Sequence, residues 1–294
     1  MTIPAFPGFT PVALDLRSEM HPYLSMTPDG VSEFTFSNLF LFRNRYDYQI
    51  SRVREKTFII SGRHDGKRFF MTPCSAPGRC VLTRLFKDHD YWKGVSDSIL
   101  YPCRACLEQY GIEFAEDRNN FDYLYLRGNL AELPGKKYHK KRNLVNTFHN
   151  SYSHREQELT RESIPLAINV LEQWKEEKGI AGDYTAAREA LELFDVLGMR
   201  GKLYFIEDRP VGWCLGEYLA KGRIFAVHFE KGLDQYKGIY QFMNRDFVAS
   251  LPESCRYINR EQDLGDEGLR QAKMTYRPSC FVRKYIGRQV AANR

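Results

Sequence analysis

Read for the spacing of apolar positions, the second half of the chain is the more regular. From Ser163 the residues Ile164, Ala167, Leu171 and Trp174 recur at helical spacing, with Ser163 as the N-cap and Pro165 in the first turn. A second helix is expected from Asp183 to Leu197, with Leu191, Phe194 and Leu197 on one face and Gly198 closing it in the left-handed conformation. The runs KLYFIED and VGWCLGEYL, joined at Arg209 and Pro210, predict a strand hairpin, and RIFAVHFEK predicts a third strand. Ile239, Phe242, Met243 and Phe247 mark a further helix. CRYINRE reads as a strand, DEGLRQAKMTY as a helix and CFVRKYI as a last strand. A strand that feeds a helix and then another strand is a crossover unit, so the sheet is expected to be mixed.

The first half repeats this order in shortened form. A helix is expected over Ser32 to Tyr46, followed by strands at KTFIISG and KRFFMTP turned by His64, Asp65 and Gly66. A helix near Pro102 to Tyr110 leads into a strand at FDYLYLR. With about 150 residues per domain as a guide, the 294 residues divide into domains at 1–150 and 151–294.

The order of the second half resembles the GNAT acyltransferase fold, which implies an α/β architecture of mixed sheets in two tandem GNAT-like domains. In that family a Gln/Arg-x-x-Gly-x-Gly/Ala loop, at a helix N-terminus, holds the pyrophosphate of coenzyme A on backbone amides. The equivalent run here is Gln235-Tyr236-Lys237-Gly238-Ile239-Tyr240. Lys237 and Gly238 suit a phosphate, but the Tyr240 ring stands where the family has a small residue and crowds a closely held pyrophosphate.

Charge adds a feature that periodicity does not show. The 43 Lys and Arg against 37 Asp and Glu leave a modest +6, but five cations fall together at Lys136, Lys137, Lys140, Lys141 and Arg142, with His139 among them. As a helix, this run places Lys137, Lys140 and Lys141 on one face and Leu144, Val145 and Phe148 on another. A cationic stripe on a docked helix suits phosphates of a tRNA, a nucleotide or a lipid headgroup. The bland alternative is a solvated face whose charges pair with neighbouring carboxylates.

The stretch LPGKKYHKKRNLVNTF, together with NREQDLGDEGLRQAK, resembles a bacterial family assigned to the phosphatidylglycerol lysyltransferase C-terminal domain. That family is similar to the Fem-type peptidoglycan aminoacyltransferases, which also pair two GNAT-like domains. The resemblance spans roughly residues 20 to 290. It implies transfer of an aminoacyl group from aminoacyl-tRNA to an amine or hydroxyl acceptor, which is a small molecule, a peptide or a lipid headgroup. No cofactor is required by such a reaction.

Within the chain, Glu217 at the end of a hairpin strand and His228 in the central strand are candidates to accept a proton, although a histidine in an apolar strand is more often a satisfied core residue. Lys273 and Arg277, one helical turn apart, suit a phosphate or a developing oxyanion. Asn259, Arg260, Glu261 and Asp263 follow a predicted strand end, where open α/β sheets place ligands, and with Tyr240 they are the expected acceptor cleft. Asp263 and Asp266 are equally candidates to cap the next helix.

The seven cysteines include one CxxC, Cys103 and Cys106, but the spacing to Cys74 and Cys80 fits no common zinc site, so buried free thiols and no metal are expected. There is no G-x-S-x-G, P-loop or HExxH. No apolar run approaches the ~20 residues of a membrane span, and the N-terminus lacks a signal-peptide pattern, which makes a cytoplasmic location the default expectation. The leading expectation is an aminoacyltransferase or acyltransferase. An acetyl-CoA-dependent N-acetyltransferase and a non-catalytic polyanion-binding protein are the alternatives.

Overall fold

The computed structural model describes residues 2–290 apart from 74, 180 and 181. Fourteen strands among the described residues form two mixed seven-stranded sheets. In chain order they are β1 (Thr10–Pro11), β2 (Gln49–Arg54), β3 (Thr57–His64), β4 (Lys67–Met71), β5 (Tyr91–Ser96), β6 (Ile112–Glu116) and β7 (Asp122–Leu126). There follow β8 (His154–Glu158), β9 (Arg200–Ile206), β10 (Arg209–Leu219), β11 (Ile224–Gly232), β12 (Tyr257–Asn259), β13 (Cys280–Val282) and β14 (Lys284–Gln289). The first sheet runs β1-β2-β3-β4-β5-β14-β6 and the second β13-β7-β12-β11-β10-β9-β8.

The hairpins read from the sequence form as expected, with β3 antiparallel to β4 and β10 antiparallel to both β9 and β11. The crossover also forms. β11 leads through the helix Ile239–Ser250 to β12, which pairs parallel to it over only three residues, Ile224 to Ala226 against Tyr257 to Asn259. Beyond that short ladder the two strands part. β4 and β5 repeat the geometry in the first sheet, parallel over Phe69–Phe70 and Tyr91–Trp92.

Three expected elements divide. The helix expected over Ser32 to Tyr46 becomes Phe36–Leu41, whose N-terminus is capped by the Thr35 hydroxyl accepting from the Asn38 N–H at 2.9 Å, and Arg43–Tyr46; Phe42, off helical geometry, separates them. The helix expected from Asp183 to Leu197 breaks at Leu193 into Tyr184–Glu192 and Phe194–Leu197, and Gly198 closes it in the left-handed region. CFVRKYI is not one strand. It changes sheet at Arg283, so that β13 joins the second sheet and β14 enters the first between β5 and β6.

At that crossing the Lys284 ammonium is fully buried. It donates to Asp122 at 2.8 Å and pairs with Glu33, while Ser32 and Gln262 also donate to Asp122. A buried charge is tolerable only when paired in this way.

One core cluster packs Phe34, Phe36 and Phe69 together with Trp174, Leu203, Trp213 and Ala226, and so joins the two sheets. Among the described residues no helix is long and apolar enough to cross a membrane.

Candidate functional site

The parting of β11 and β12 gathers the charged residues. Along β10 and β11, Leu215 faces Phe229 and Gly216 faces Val227, so His228 is an extra residue in a β-bulge. The strands approach closely there, since a Cβ on Gly216 would lie 2.0 Å from the Ala226 carbonyl oxygen. The bulge re-aims the imidazole, which sits edge-on between two acids, with Nε2 3.1 Å from Glu217 Oε1 and Nδ1 2.7 Å from Glu261 Oε1.

Glu261 reaches this position because the chain turns sharply after β12. It has a φ of 55°, and its N–H donates to Asn259 Oδ1 at 2.7 Å, while Asn259 Nδ2 donates to the Gly30 carbonyl at 2.8 Å. Burial alone would discharge His228, but the two carboxylates outweigh it and push its pKa up to about 10. For Glu217, burial is likewise the largest influence and acts upward, but the His228 bond and charge prevail and hold the carboxyl below its usual range. Glu261 is the member of the row with the most solvent access, its side chain being 22% exposed against 3% for the other two.

Two residues beyond His228, Glu230 is buried against Arg260 as an ion pair, and burial raises its pKa. The Arg260 guanidinium lies 5.3 Å from the Tyr276 ring centroid, and Lys141 of the basic run lies 4.1 Å from the same ring. Burial pushes the Lys273 ammonium down to about 8, although it donates to the Arg260 carbonyl at 2.6 Å and to the Gln262 carbonyl. Asp263 is buried; it accepts from Tyr123 at 2.6 Å, from Arg270 and Arg118, and from the Gly265 N–H, and this set of donors overcomes its burial to keep it ionised. Asp266 takes the capping role, accepting from the Leu269 N–H at 2.7 Å.

The basic run forms a turn, Lys136–Tyr138, and the start of the helix His139–Ser151. Val145 and Phe148 are buried, as the apolar face requires. Lys136, Lys137, His139 and Lys140 are exposed, while Arg142 turns back onto the carbonyls of Leu133 and Gly135. Among the described residues none of these five Lys and Arg side chains pairs with a carboxylate, so the expected alternative of a neutralised face does not form. The Tyr138 hydroxyl donates to the Tyr276 carbonyl at 3.2 Å, which ties the run to the Arg260 region. Arg277 is exposed beside it, with a φ of 56°.

Lys237, Gly238 and Tyr240 lie at the start of the helix Ile239–Ser250, against the basic helix. Gly238 has a φ of 90°, and a Cβ there would meet the Leu144 carbonyl oxygen at 2.2 Å. The Lys237 N–H donates to the Tyr152 hydroxyl and the Tyr240 hydroxyl to the Gly232 carbonyl. The helix start is therefore packed against protein.

The structure thus brings together Glu217, His228, Asn259, Arg260, Glu261, Asp263 and Lys273, and joins them through Tyr276 to Lys141. The sequence reading missed Glu230 and Tyr276. Glu230 carried a signal, since it stands on the strand two positions from His228; Tyr276 carried only its place between Lys273 and Arg277. The expectation of buried thiols holds for Cys214 and Cys255 but not for Cys80, Cys106 and Cys280, which are exposed on the solvent sides of their elements; Cys103 is half-buried and Cys74 lies outside the described residues.

Comparison with known proteins agrees with this architecture. A conserved protein of unknown function from Bacteroides thetaiotaomicron is 30% identical, with a TM-score of 0.85 over 96% of this chain and 99% of its own. L-PGS from Bacillus licheniformis shares the fold at 12% identity and a TM-score of 0.58, over 84% of this chain and 85% of its own. FemX does so at 7% and 0.57, over 96% and 95%. A tandem GNAT protein from the clavulanic acid pathway matches 97% of this chain and 99% of its own at 10% identity and a TM-score of 0.50, so the fold is that of tandem GNAT-like units. An uncharacterised protein of Mycoplasmoides gallisepticum is 22% identical over 60% of this chain, and the match spans 59% of that relative's length. Residues 25–288 match the family model for phosphatidylglycerol lysyltransferase, C-terminal, and the chain belongs to that family.

Proposed function

We propose that the protein is an aminoacyltransferase that takes an aminoacyl group from aminoacyl-tRNA and passes it to an amine or hydroxyl acceptor. The observation that carries this reading is the junction of the basic run with the acid–base row. Cations without acidic partners at Lys136, Lys137 and Lys140 lead through Lys141 and Tyr276 to Arg260, Lys273 and Glu261. A polyanionic donor held on the run would deliver its ester end to the parted strands.

The chemistry needs no cofactor, because the ester is already activated. The acceptor N–H or O–H gives up a proton as its heteroatom bonds to the aminoacyl carbonyl carbon. The ribose oxygen then leaves and takes up a proton. An imidazolium whose two nitrogens both donate has no lone pair to offer, so Glu261, the most open carboxylate of the row, takes the proton, and His228 moderates its charge. Lys273 spends two of its three N–H donors on carbonyls and keeps one for the developing oxyanion.

The acetyl-CoA alternative fares worse on one observation: the start of the helix Ile239–Ser250 is packed against the basic helix at Gly238, and Tyr240 fills the place where the family has a small residue.

The test is tRNA binding across a salt series, followed by assay of the aminoacyl ester with candidate acceptors. Replacing Lys136, Lys137 and Lys140 with Gln is expected to flatten the dependence of log affinity on log salt by about 2 to 3 units, at roughly 0.7 to 0.9 per lost phosphate contact. Glu261→Gln should keep tRNA binding and lose ester consumption. Coincident salt lines would leave the reading without support, and binding with an untouched ester would make the protein a polyanion binder.

A further inference from the structure

We infer that the outer face of the first sheet carries a second ligand site, one that takes a small zwitterion with an aromatic body, of the α-amino-acid type. A cavity of ≈ 340 Å³ opens there between three elements. They are the N-terminal turn with Phe6 and Phe9, Arg68 of β4, and the C-terminal end of the helix Arg79–Asp88 with His89 just beyond it. The volume lies in the lower part of the roughly 300–1,000 Å³ range of small-molecule pockets.

Alternation along β4 separates this cavity from the row at the end of β12. Phe69 and Met71 belong to the core that joins the two sheets, whereas Phe70 packs with Leu82, Leu85 and Trp92 in a cluster on the opposite face. Arg68, two positions before Phe70, shares that outer face. The first sheet therefore stands between the cavity and the acid–base row.

The floor is aromatic and carries no charge. The Phe6 N–H donates to the Arg52 carbonyl at 2.9 Å and the Arg52 N–H to the Pro4 carbonyl at 2.8 Å, which pins the N-terminal segment to β2. The Phe6 and Phe9 rings meet edge-on, 6.2 Å apart. His89 is buried, and its Nδ1–H donates to the Leu85 carbonyl at 2.9 Å. That leaves the Nε2 lone pair to accept from the Ser61 hydroxyl at 2.8 Å. Burial holds the imidazole below the ordinary histidine range, so at pH 7 it is a neutral ring set edge-on to Phe70 at 5.6 Å.

The charges sort to two sides of this floor. Arg68 stands directly opposite Arg63 across the β3–β4 ladder; Arg63 has Asp47 at 3.5 Å, but the Arg68 guanidinium has no side-chain partner among the described residues. Asp90 is near, with its Oδ2 held by the Arg68 backbone N–H at 2.7 Å. An open guanidinium fork suits a carboxylate. On the other side Asp88 ends its helix, 3.9 Å from Arg84 Nε, and both side chains are more than half exposed. Such a pair holds its carboxylate weakly, and the negative end of the helix dipole adds to the pull on an ammonium there. A simple carboxylate would face Asp88 and Asp90, and a simple amine would face Arg68 and Arg84. A zwitterion meets one partner on each side and lays its ring on Phe6, Phe9 and His89. The site stands on these contacts, whether or not the transfer reaction is correctly assigned.

The test is calorimetric titration of the intact chain with L-phenylalanine, comparing wild type, Arg68→Gln, Asp88→Asn and Glu261→Gln. Wild type and Glu261→Gln should bind alike, and each substitution in the cavity should weaken binding at least tenfold. Arg68 and Asp88 are exposed, so both variants should fold as the wild type does. Phenylacetate lacks the ammonium, phenethylamine the carboxylate and L-alanine the ring; each should bind wild type at least tenfold more weakly than L-phenylalanine. No binding of L-phenylalanine, or binding that survives both cavity substitutions, overturns the proposal. So does binding lost in Glu261→Gln alone, which would place the amino acid at the acid–base row, and so does phenylacetate binding as tightly as L-phenylalanine.

Discussion

His228 is held charged because its two nitrogens meet carboxylates on either side, and that gives its protonation a measurable signature. Its folded pKa of about 10 stands above the ordinary 6.5, so its contribution to stability is complete below about pH 6.5 and is lost as the pH rises through about 10. Lys273, pushed down to about 8, works in the opposite direction and disappears from a difference between two proteins that both contain it. His228→Gln should cost about 3 kcal/mol at pH 7, as expected for removing one member of a buried ion pair. The gap between variant and wild type in thermal melts should then narrow steadily from about pH 7 to pH 10. A gap of constant size would mean that the imidazole is neutral. Glu217 and His228 were legible in the sequence because each stands in a strand run. Their partner Glu261 was read only as part of a motif, since its contact depends on a left-handed turn and on a bulge that alternation does not reveal.

At the scale of elements, the helices and hairpins that the sequence displays are those whose apolar periodicity is uninterrupted. β5 went unread, because its ladder to β4 is two pairs long and its interior glycine, Gly94, is left-handed. The joint between the basic helix and the helix Ile239–Ser250 depends on one such glycine. Gly238→Ala puts a side chain into a φ of 90° and a Cβ against the Leu144 carbonyl oxygen. The conformational strain alone is worth about 1–3 kcal/mol, and the backbone contact adds to it. Urea denaturation should show that loss, and the salt dependence of tRNA binding should change as well, because the basic helix must shift to make room. Asp266→Ala, by contrast, removes an exposed cap and should cost about 1 kcal/mol with no effect on that dependence.

Across the whole molecule, sequence order and spatial order part company at the two sheet changes. β7 leaves the first half of the chain for the second sheet, and β14 returns from the C-terminal end to stand between β5 and β6. Nothing in CFVRKYI announces the change, because both halves of the run are equally strand-like; the buried Lys284 shows the reason only once Glu33 and Asp122 are seen around it. Residues 1–150 expressed alone would leave β5 unpaired along one edge, β6 without β14, its one partner among the described residues, and β7 without β12 and β13. That fragment is expected to aggregate or remain unfolded by circular dichroism, and a soluble, cooperatively melting fragment would contradict it. Lys284→Met should lower the stability of the intact chain by about 3–5 kcal/mol, since it strands two buried carboxylates, and should still give one calorimetric transition because one core spans both sheets.

The placement of β14 also sets a clock on the ribosome. The first sheet cannot close until a strand ending at Gln289 has been made, although β6 is finished at Glu116. At about 5–20 residues per second, the open edges of β5 and β6 wait roughly 10 to 35 s for their partner. During that interval the nascent chain offers neighbouring polysomes two unprotected strands, so the yield of native protein should depend on translation speed and on holdase chaperones more steeply than for a chain that folds its halves in order.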